Sequence, residues 1–161
     1  MAERAGLSLI DNAQLECLVG GASKSPRLRT HLLLHSAAND QVQRLLIGTQ
    51  PGTYVRPHRH SEQWEMLVLL SGSMDVLCFS DQSQLLQRER MHIRSPVVQI
   101  APGVVHGCLI DAADTVVLEV KPGPYRPNEF VDWAPEEGGD AAEQFLNWAK
   151  TAAVGCAWAV Q

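Results

Sequence analysis

Residues 52–72 read GTYVRPHRHSEQWEMLVLLSG, and the spacing within this stretch decides how the rest of the chain is read. Two glycines, Gly52 and Gly72, bracket it, and His58, His60 and Glu65 stand between them. On a strand, residues i and i+2 face the same way, so His58 and His60 project together from backbone positions only about 6.6 Å apart. Side chains leaning together from there can place two ring nitrogens about 2.0–2.1 Å from one ion. Glu65 reaches the same point if the next strand pairs antiparallel, because neighbouring strands lie about 4.8 Å apart. A fourth donor is offered by His106, which follows the turn Ala101-Pro102-Gly103. Three imidazoles and one carboxylate suit a divalent transition ion such as Zn, Fe, Mn, Ni or Co. An HxH pair alone carries little weight, since unconnected surface or core histidines produce it by chance.

Outward from this stretch the chain reads as β structure. Strand-like runs cover residues 29–35, 42–50, 53–60, 65–70, 74–79, 84–91, 97–101, 106–110 and 115–121, separated by turn residues such as Pro51-Gly52 and Ser71-Gly72-Ser73. The spacing is close to the roughly 8–12-residue rhythm of sandwiches and barrels, and so many strands in one domain call for closure, since an open sheet leaves its edges exposed. Before the strands, Leu15, Leu18 and Val19 recur at helical spacing, with Asp11 or Asn12 as cap and Gly20-Gly21 as the stop. After them, the proline-rich run 122–127 reads as an irregular strap. Asp140 followed by Glu143 resembles a capping box, and Phe145, Leu146, Trp148 and Ala149 supply an apolar helical face. The expected organisation is one domain: a helical segment over 1–25, a β-barrel over 26–125, and a strap and docking helix over 126–161.

Composition narrows the function. The chain has 161 residues, 45% of them hydrophobic and 19% charged, with a net charge of -5, which argues against disorder and against a nucleic-acid partner. No stretch approaches the roughly 20 apolar residues of a membrane helix, and the first twenty residues lack the order of a secretory signal, so the expectation is a cytoplasmic protein. Cys17, Cys78, Cys108 and Cys156 lack CxxC spacing and are read as free, mostly buried thiols.

Side-chain parity extends the candidate site. Tyr54 and Arg56 share the even face with His58 and His60, unless Pro57 introduces a bulge that breaks the count. Glu119 and Lys121 share one face of the last strand, inward or solvated. A divalent ion with one carboxylate ligand retains a charge of about +1, to which Arg56 and Lys121 add. Either Glu119 pairs with Arg56, or the cavity takes an anionic small molecule that coordinates the ion through oxygen. Tyr125, on the strap, is read as closing the mouth as a proton donor or as an aromatic plug. His31 is left outside the site, His35 is a pocket or outer candidate, and His92 is read as exposed.

The spacing of Gly52, His58, His60, Glu65 and Gly72 resembles, without a gap, the first motif of the cupin family. The second motif is met in part: Gly103 and His106 fit, whereas Ser95, Ala101 and Ile110 stand where that pattern has Gly, Pro and Asn. Across most of the chain, Arg27-Leu28-Arg29, residues 53–60, Trp64-Glu65, Glu119-Val120-Lys121, Gly123-Pro124-Tyr125 and Trp133-Ala134-Pro135-Glu136 resemble the WbuC family of cupin-fold metalloproteins, found with bacterial O-antigen biosynthesis genes. The resemblance implies a mainly β, single-domain jelly-roll (double-stranded β-helix) barrel flanked by N- and C-terminal helices, and a homodimer. It also implies a surface-polysaccharide context. The favoured reading is a metal-dependent isomerase, lyase or hydrolase for an anionic or sugar-derived metabolite. His58, His60, Glu65 and His106 hold the metal, and Tyr54, Arg56, Lys121 and Tyr125 act on the ligand. The rivals are a non-haem iron dioxygenase and a non-catalytic metal-anchored binding module.

Overall fold

The computed structural model describes residues 7–159, and their alternating apolar runs fold into two antiparallel five-stranded sheets that face each other. In chain order the elements are α1 (Asn12–Lys24), β1 (Arg29–Leu33), β2 (Val42–Thr49), β3 (His58–Arg59), β4 (Glu65–Ser71), β5 (Met74–Phe79), β6 (Leu85–Met91), β7 (Val97–Ile100), β8 (Val105–Ile110), β9 (Thr115–Pro122), β10 (Glu129–Phe130) and α2 (Asp140–Thr151). One sheet runs β1-β2-β9-β4-β7 and the other β10-β3-β8-β5-β6. This is the mainly β jelly-roll barrel with two flanking helices that the family resemblance implies. None of the described helices is long and apolar enough to cross a membrane.

Three apolar clusters hold the layers together. Leu67 and Leu69 of β4, Met74 and Val76 of β5, Ile110 and Val117 meet between the sheets. On the outer face of the first sheet, Leu18 of α1 packs with Leu46 and Val116, and Gly48 lets the helix approach: a Cβ there would lie 2.8 Å from Leu18 Cγ. On the outer face of the second sheet, Phe145, Leu146 and Ala149 of α2 pack on Leu77, Phe79 and Leu109.

Several local expectations need correction. The run 53–60 is not one strand: only His58–Arg59 pairs regularly, and Tyr54 makes an isolated bridge to Leu109. Helix α1 passes through Gly20-Gly21 to Lys24 because Ala22 is fully buried beyond them. Its cap is Asp11, which accepts from Gln14 N at 3.0 Å while Gln14 Oε1 accepts from Asp11 N at 3.1 Å. The expected box at Asp140 is absent, for Gly139 is the N-cap of α2 without a side-chain bond. Asp140 and Glu143 lie in the first turn instead, where negative charge favours the helix dipole. The cysteines are free, but Cys17 and Cys156 are exposed and Cys78 and Cys108 half-buried.

Two glycines of the motifs separate conformational from steric cost. Gly72 has φ +78° and a Cβ there would lie 2.2 Å from Thr115 Oγ1, whereas Gly103 has φ +79° with no neighbour within 4 Å. Gly103→Ala is expected to cost about 1 kcal/mol, and Gly72→Ala about 3 kcal/mol or more. Urea denaturation of the two variants reads the difference.

Candidate metal centre

The four donor residues arrive from both sheets. His58 on β3 pairs directly with His106 on β8, so their side chains share the interior face. His60 follows β3, and its carbonyl accepts from Gly103 N at 2.9 Å, which ties the loop after β3 to the turn before β8. Glu65 opens β4, a strand that pairs with β7 and β9 and not with β3. It therefore reaches the histidines across the barrel interior, not from a neighbouring strand as the antiparallel hairpin argument has it.

One ligand atom from each of His58, His60, Glu65 and His106 lies within 4.8 Å of the others, and all four residues are buried. Nε2 of His60 is 2.8 Å and Nε2 of His106 3.8 Å from Glu65 Oε2. The short His60 contact has the distance of a hydrogen bond without its angle: His60 Nε2, His106 Nε2 and Glu65 Oε2 are buried with no hydrogen-bond partner. Buried polar atoms are costly without partners, and three of them facing one point match what an ion would satisfy. Donors about 2.1 Å from a common ion are at most about 4.2 Å apart, so the set would draw in by roughly half an ångström. Nδ1 of His58 lies 2.8 Å from Arg56 O and Nδ1 of His106 3.0 Å from Val104 O. Each ring donates its Nδ1–H to a carbonyl, which leaves the Nε2 lone pair free.

Burial holds the His58 pKa down to about 3, with His106 adding to the effect, and burial lowers that of His106. Burial opposes ionisation of Glu65, but the contact with His60 and the Lys121 ammonium outweigh it and lower its pKa. Both histidines are therefore neutral bases, ready to bind a metal at neutral pH.

Three of the four, His58, Glu65 and His106, line a cavity of about 490 Å³. Arg56 lines it, with Cζ 4.7 Å from the centre of the Phe130 ring and a buried Nε that has no hydrogen-bond partner. Tyr54 is not in this cavity. The irregular backbone before His58 breaks the parity count, and Tyr54 turns outward to meet Phe145 of α2 edge-on and donate to Pro135 O at 2.8 Å. Glu119 and Lys121 both point inward and pair at 2.8 Å, so Glu119 neutralises Lys121 and not Arg56. Burial and Glu65 push the Glu119 carboxyl up. Burial works against the Lys121 ammonium, yet Glu119 and Glu65 hold its pKa above the ordinary value. The two pulls conflict within one pair. A cation at Glu65 would remove the repulsion on Glu119, so a charged pair is the arrangement we adopt.

Lys121 and Tyr125 line a second cavity of about 350 Å³, together with His35 and Gln43, and Glu119 borders both spaces. Tyr125 is 57% exposed there and does not close the mouth of the metal cavity. His31, left out on sequence grounds, does line the metal cavity with Arg27, Arg29 and Glu137. The alternation of Arg27, Arg29 and His31 was the available signal for them. His92 is half-buried in a tight turn with Ser95. Ser95 is not among the positive-φ residues and Ile110 belongs to the core, so neither motif departure touches a donor.

Residues 10–91 match a family model described as "Domain of unknown function (DUF6016)". The chain belongs to that family. No curated protein matches the sequence. Among solved structures, KdgF from a Halomonas species aligns with a TM-score of 0.51 at 14% identity, over 63% of this chain and 84% of that one. An oxalate oxidase in complex with the substrate analogue glycolate aligns with a TM-score of 0.54 at 16% identity, over 68% of this chain and 58% of that one. At such identities the likeness establishes the fold, which is the cupin barrel.

The lowered histidines set the pH response of metal-free protein. Between the ordinary histidine value and the lowered one the unfolded chain binds more protons, so stability falls as pH drops below about 6.5, by up to about 1.4 kcal/mol per pH unit for each such histidine. Denaturation midpoints at pH 7 and pH 5 should show this loss, and His58→Gln should shrink it.

Proposed function

We propose that this protein is a metal-dependent enzyme for a small anionic or sugar-derived metabolite. His58, His60, Glu65 and His106 hold the ion, and Arg56 takes the acidic group of the ligand. The observation that carries the reading is the convergence of partnerless buried nitrogens and a carboxylate oxygen on one point, beside a guanidinium whose Nε is also without a partner. A divalent ion there would polarise a ligand oxygen or lower the pKa of bound water. Arg56 contributes direction: its ring contact with Phe130 fixes the guanidinium plane, and a carboxylate or phosphate meets such a fork through two parallel hydrogen bonds. Glu119 charges the wall between the two cavities, and Lys121 and Tyr125 act, if on a ligand, through the second one. The resemblance to the WbuC family supports a place in bacterial surface-polysaccharide metabolism.

A second reading, a metal-anchored binding module, is favoured by one placement: Tyr54, Lys121 and Tyr125, the expected proton-transfer groups, all lie outside the metal cavity. Turnover against tight binding without turnover, in a screen of acidic sugars and hydroxy acids, separates the two. An iron content would favour the oxygen-activating alternative.

Protein purified without chelators is expected to carry about one equivalent of a divalent transition metal by mass spectrometry. The pair His58→Ala and His60→Ala should lose it. Arg56→Ala should keep the metal and weaken carboxylate binding about tenfold or more. A chain that takes up no transition metal at all would overturn the proposal.

A further inference from the structure

The metal cavity carries a second group of charges at its mouth. Arg27 donates Nε and Nη2 to the two oxygens of Glu137 at 2.9 and 2.6 Å, and Arg29 donates Nη2 at 3.0 Å. All three residues line the cavity. The two arginines differ in how firmly they are held. Arg29 has a side chain only 12% exposed and is anchored by a 2.7 Å bond from Nη1 to Tyr54 O. Arg27 is 56% exposed and Glu137 30%, and ion pairs so open to solvent are weakly held.

Glu137 sits in a loop with little to fix it. The Tyr54 hydroxyl holds Pro135 O on one side, and Gly139 O accepts from Ala142 N on the other. Between them, Gly138 has φ +89°, and no atom lies within 4 Å of a Cβ built at Gly138 or Gly139. The Arg27 and Arg29 contacts are thus what hold the Glu137 side chain at the mouth.

Charge balance shows what competes for this place. The metal cavity is lined by Arg27, Arg29 and Arg56 against Glu65, Glu119, Glu136 and Glu137, and Glu119 carries Lys121 with it. With a divalent ion on Glu65 and neutral histidines, about two positive charges stay uncompensated, and buried positive charge demands a counter-charge. We propose that Arg27 and Arg29 form an anion subsite, that Glu137 fills it when no ligand is bound, and that the ligand carries two acidic groups, one for the ion and Arg56 and one for the mouth. Glu137 is an internal stand-in for the second group. This rests on the metal-site reading for the first group only, since the mouth subsite is made of side chains already in place.

The test is calorimetric titration of the full chain, as isolated and after chelation. The probes are the dicarboxylates malonate to adipate, monocarboxylates of the same chain lengths, and phosphoglycolate. Removing a competitor raises the competent fraction, so Glu137→Ala should tighten the best dianion about three- to tenfold and change monocarboxylates less than about twofold. Arg27→Ala should weaken dianions alone, and Arg29 is left intact because it also holds Tyr54 O. Phosphoglycolate binding more tightly than every dicarboxylate assigns a phosphate to one of the two groups, and the reverse order assigns two carboxylates. Equal effects of Glu137→Ala on monoanions and dianions, weaker dianion binding, or no binding of any acid to either protein would overturn the proposal. If the metal-site reading alone fails, chelation leaves monocarboxylate binding unchanged while the Glu137 dependence of dianion binding persists.

Discussion

The register that sets His58 opposite His106 is the constraint on which the rest of the site depends. A slip of one residue in a strand turns every side chain to the other face, and β3, with two residues, is too short to hold its own register. It is held from outside. On one flank Phe130 pairs with His58 and Glu129 with Arg59, and the Glu129 carboxylate accepts from Ser61 Oγ at 2.6 Å. On the other flank the Gly103 N–H bonds the carbonyl of His60. Long strands elsewhere, such as β2 on β9 with eight paired residues, supply the cooperative stability that lets a two-residue strand carry one ligand, His58, and lead directly into a second, His60.

The interior is divided between two cavities. Met74, Val76, Leu67, Leu69 and Ile110 form an apolar cluster between the sheets, and Leu67, Met74 and Ile110 also line the metal cavity beside its polar and charged side chains. Glu119 and Lys121 sit at the division, with Lys121 only 8% exposed. A buried ion pair pays heavily in lost hydration and seldom adds stability over an apolar pair. Its position explains it better: Glu119 and Glu65 repel each other, Lys121 offsets that repulsion, and a cation among the histidines would offset it further.

The strands and the four donors were legible in the sequence because both rest on short-range rules. Alternation gave β5 at its observed bounds and most other strands within one or two residues, and the spacing of His58, His60, Glu65 and His106 singled out the set that the fold gathers. What was not legible depends on longer-range facts. Parity from His58 back to Tyr54 assumes continuous strand, but Pro57 has no N–H to offer a ladder, and the chain is irregular from 55 to 57. Parity did hold for Glu119 and Lys121, yet it says nothing about depth: two residues move a side chain about 6.6 Å along the axis, enough to carry Lys121 into the second cavity. The helix ran past Gly20-Gly21 because tertiary contact outweighs the intrinsic cost of glycine, with Gly21 close against Thr30 and Ala22 buried.

The C-terminal segment, which lies beyond the residues of the family match, is as much part of the site as the barrel. Val131, Ala134 and Trp158 belong to the cluster that α2 makes on the second sheet, with Trp133 against it, and Trp133 stacks edge-on to Phe79 with ring centres 5.3 Å apart. That packing fixes the strap in the stretch before Glu137 and after Phe130. Phe130 is thereby set 6.1 Å from the His58 ring and beneath Arg56, and Pro135 receives Tyr54. Aromatic residues that never touch the cavity therefore decide its shape: Tyr54, expected to act on a ligand, instead locks the strap that brings Phe130 and Glu137 to the opening.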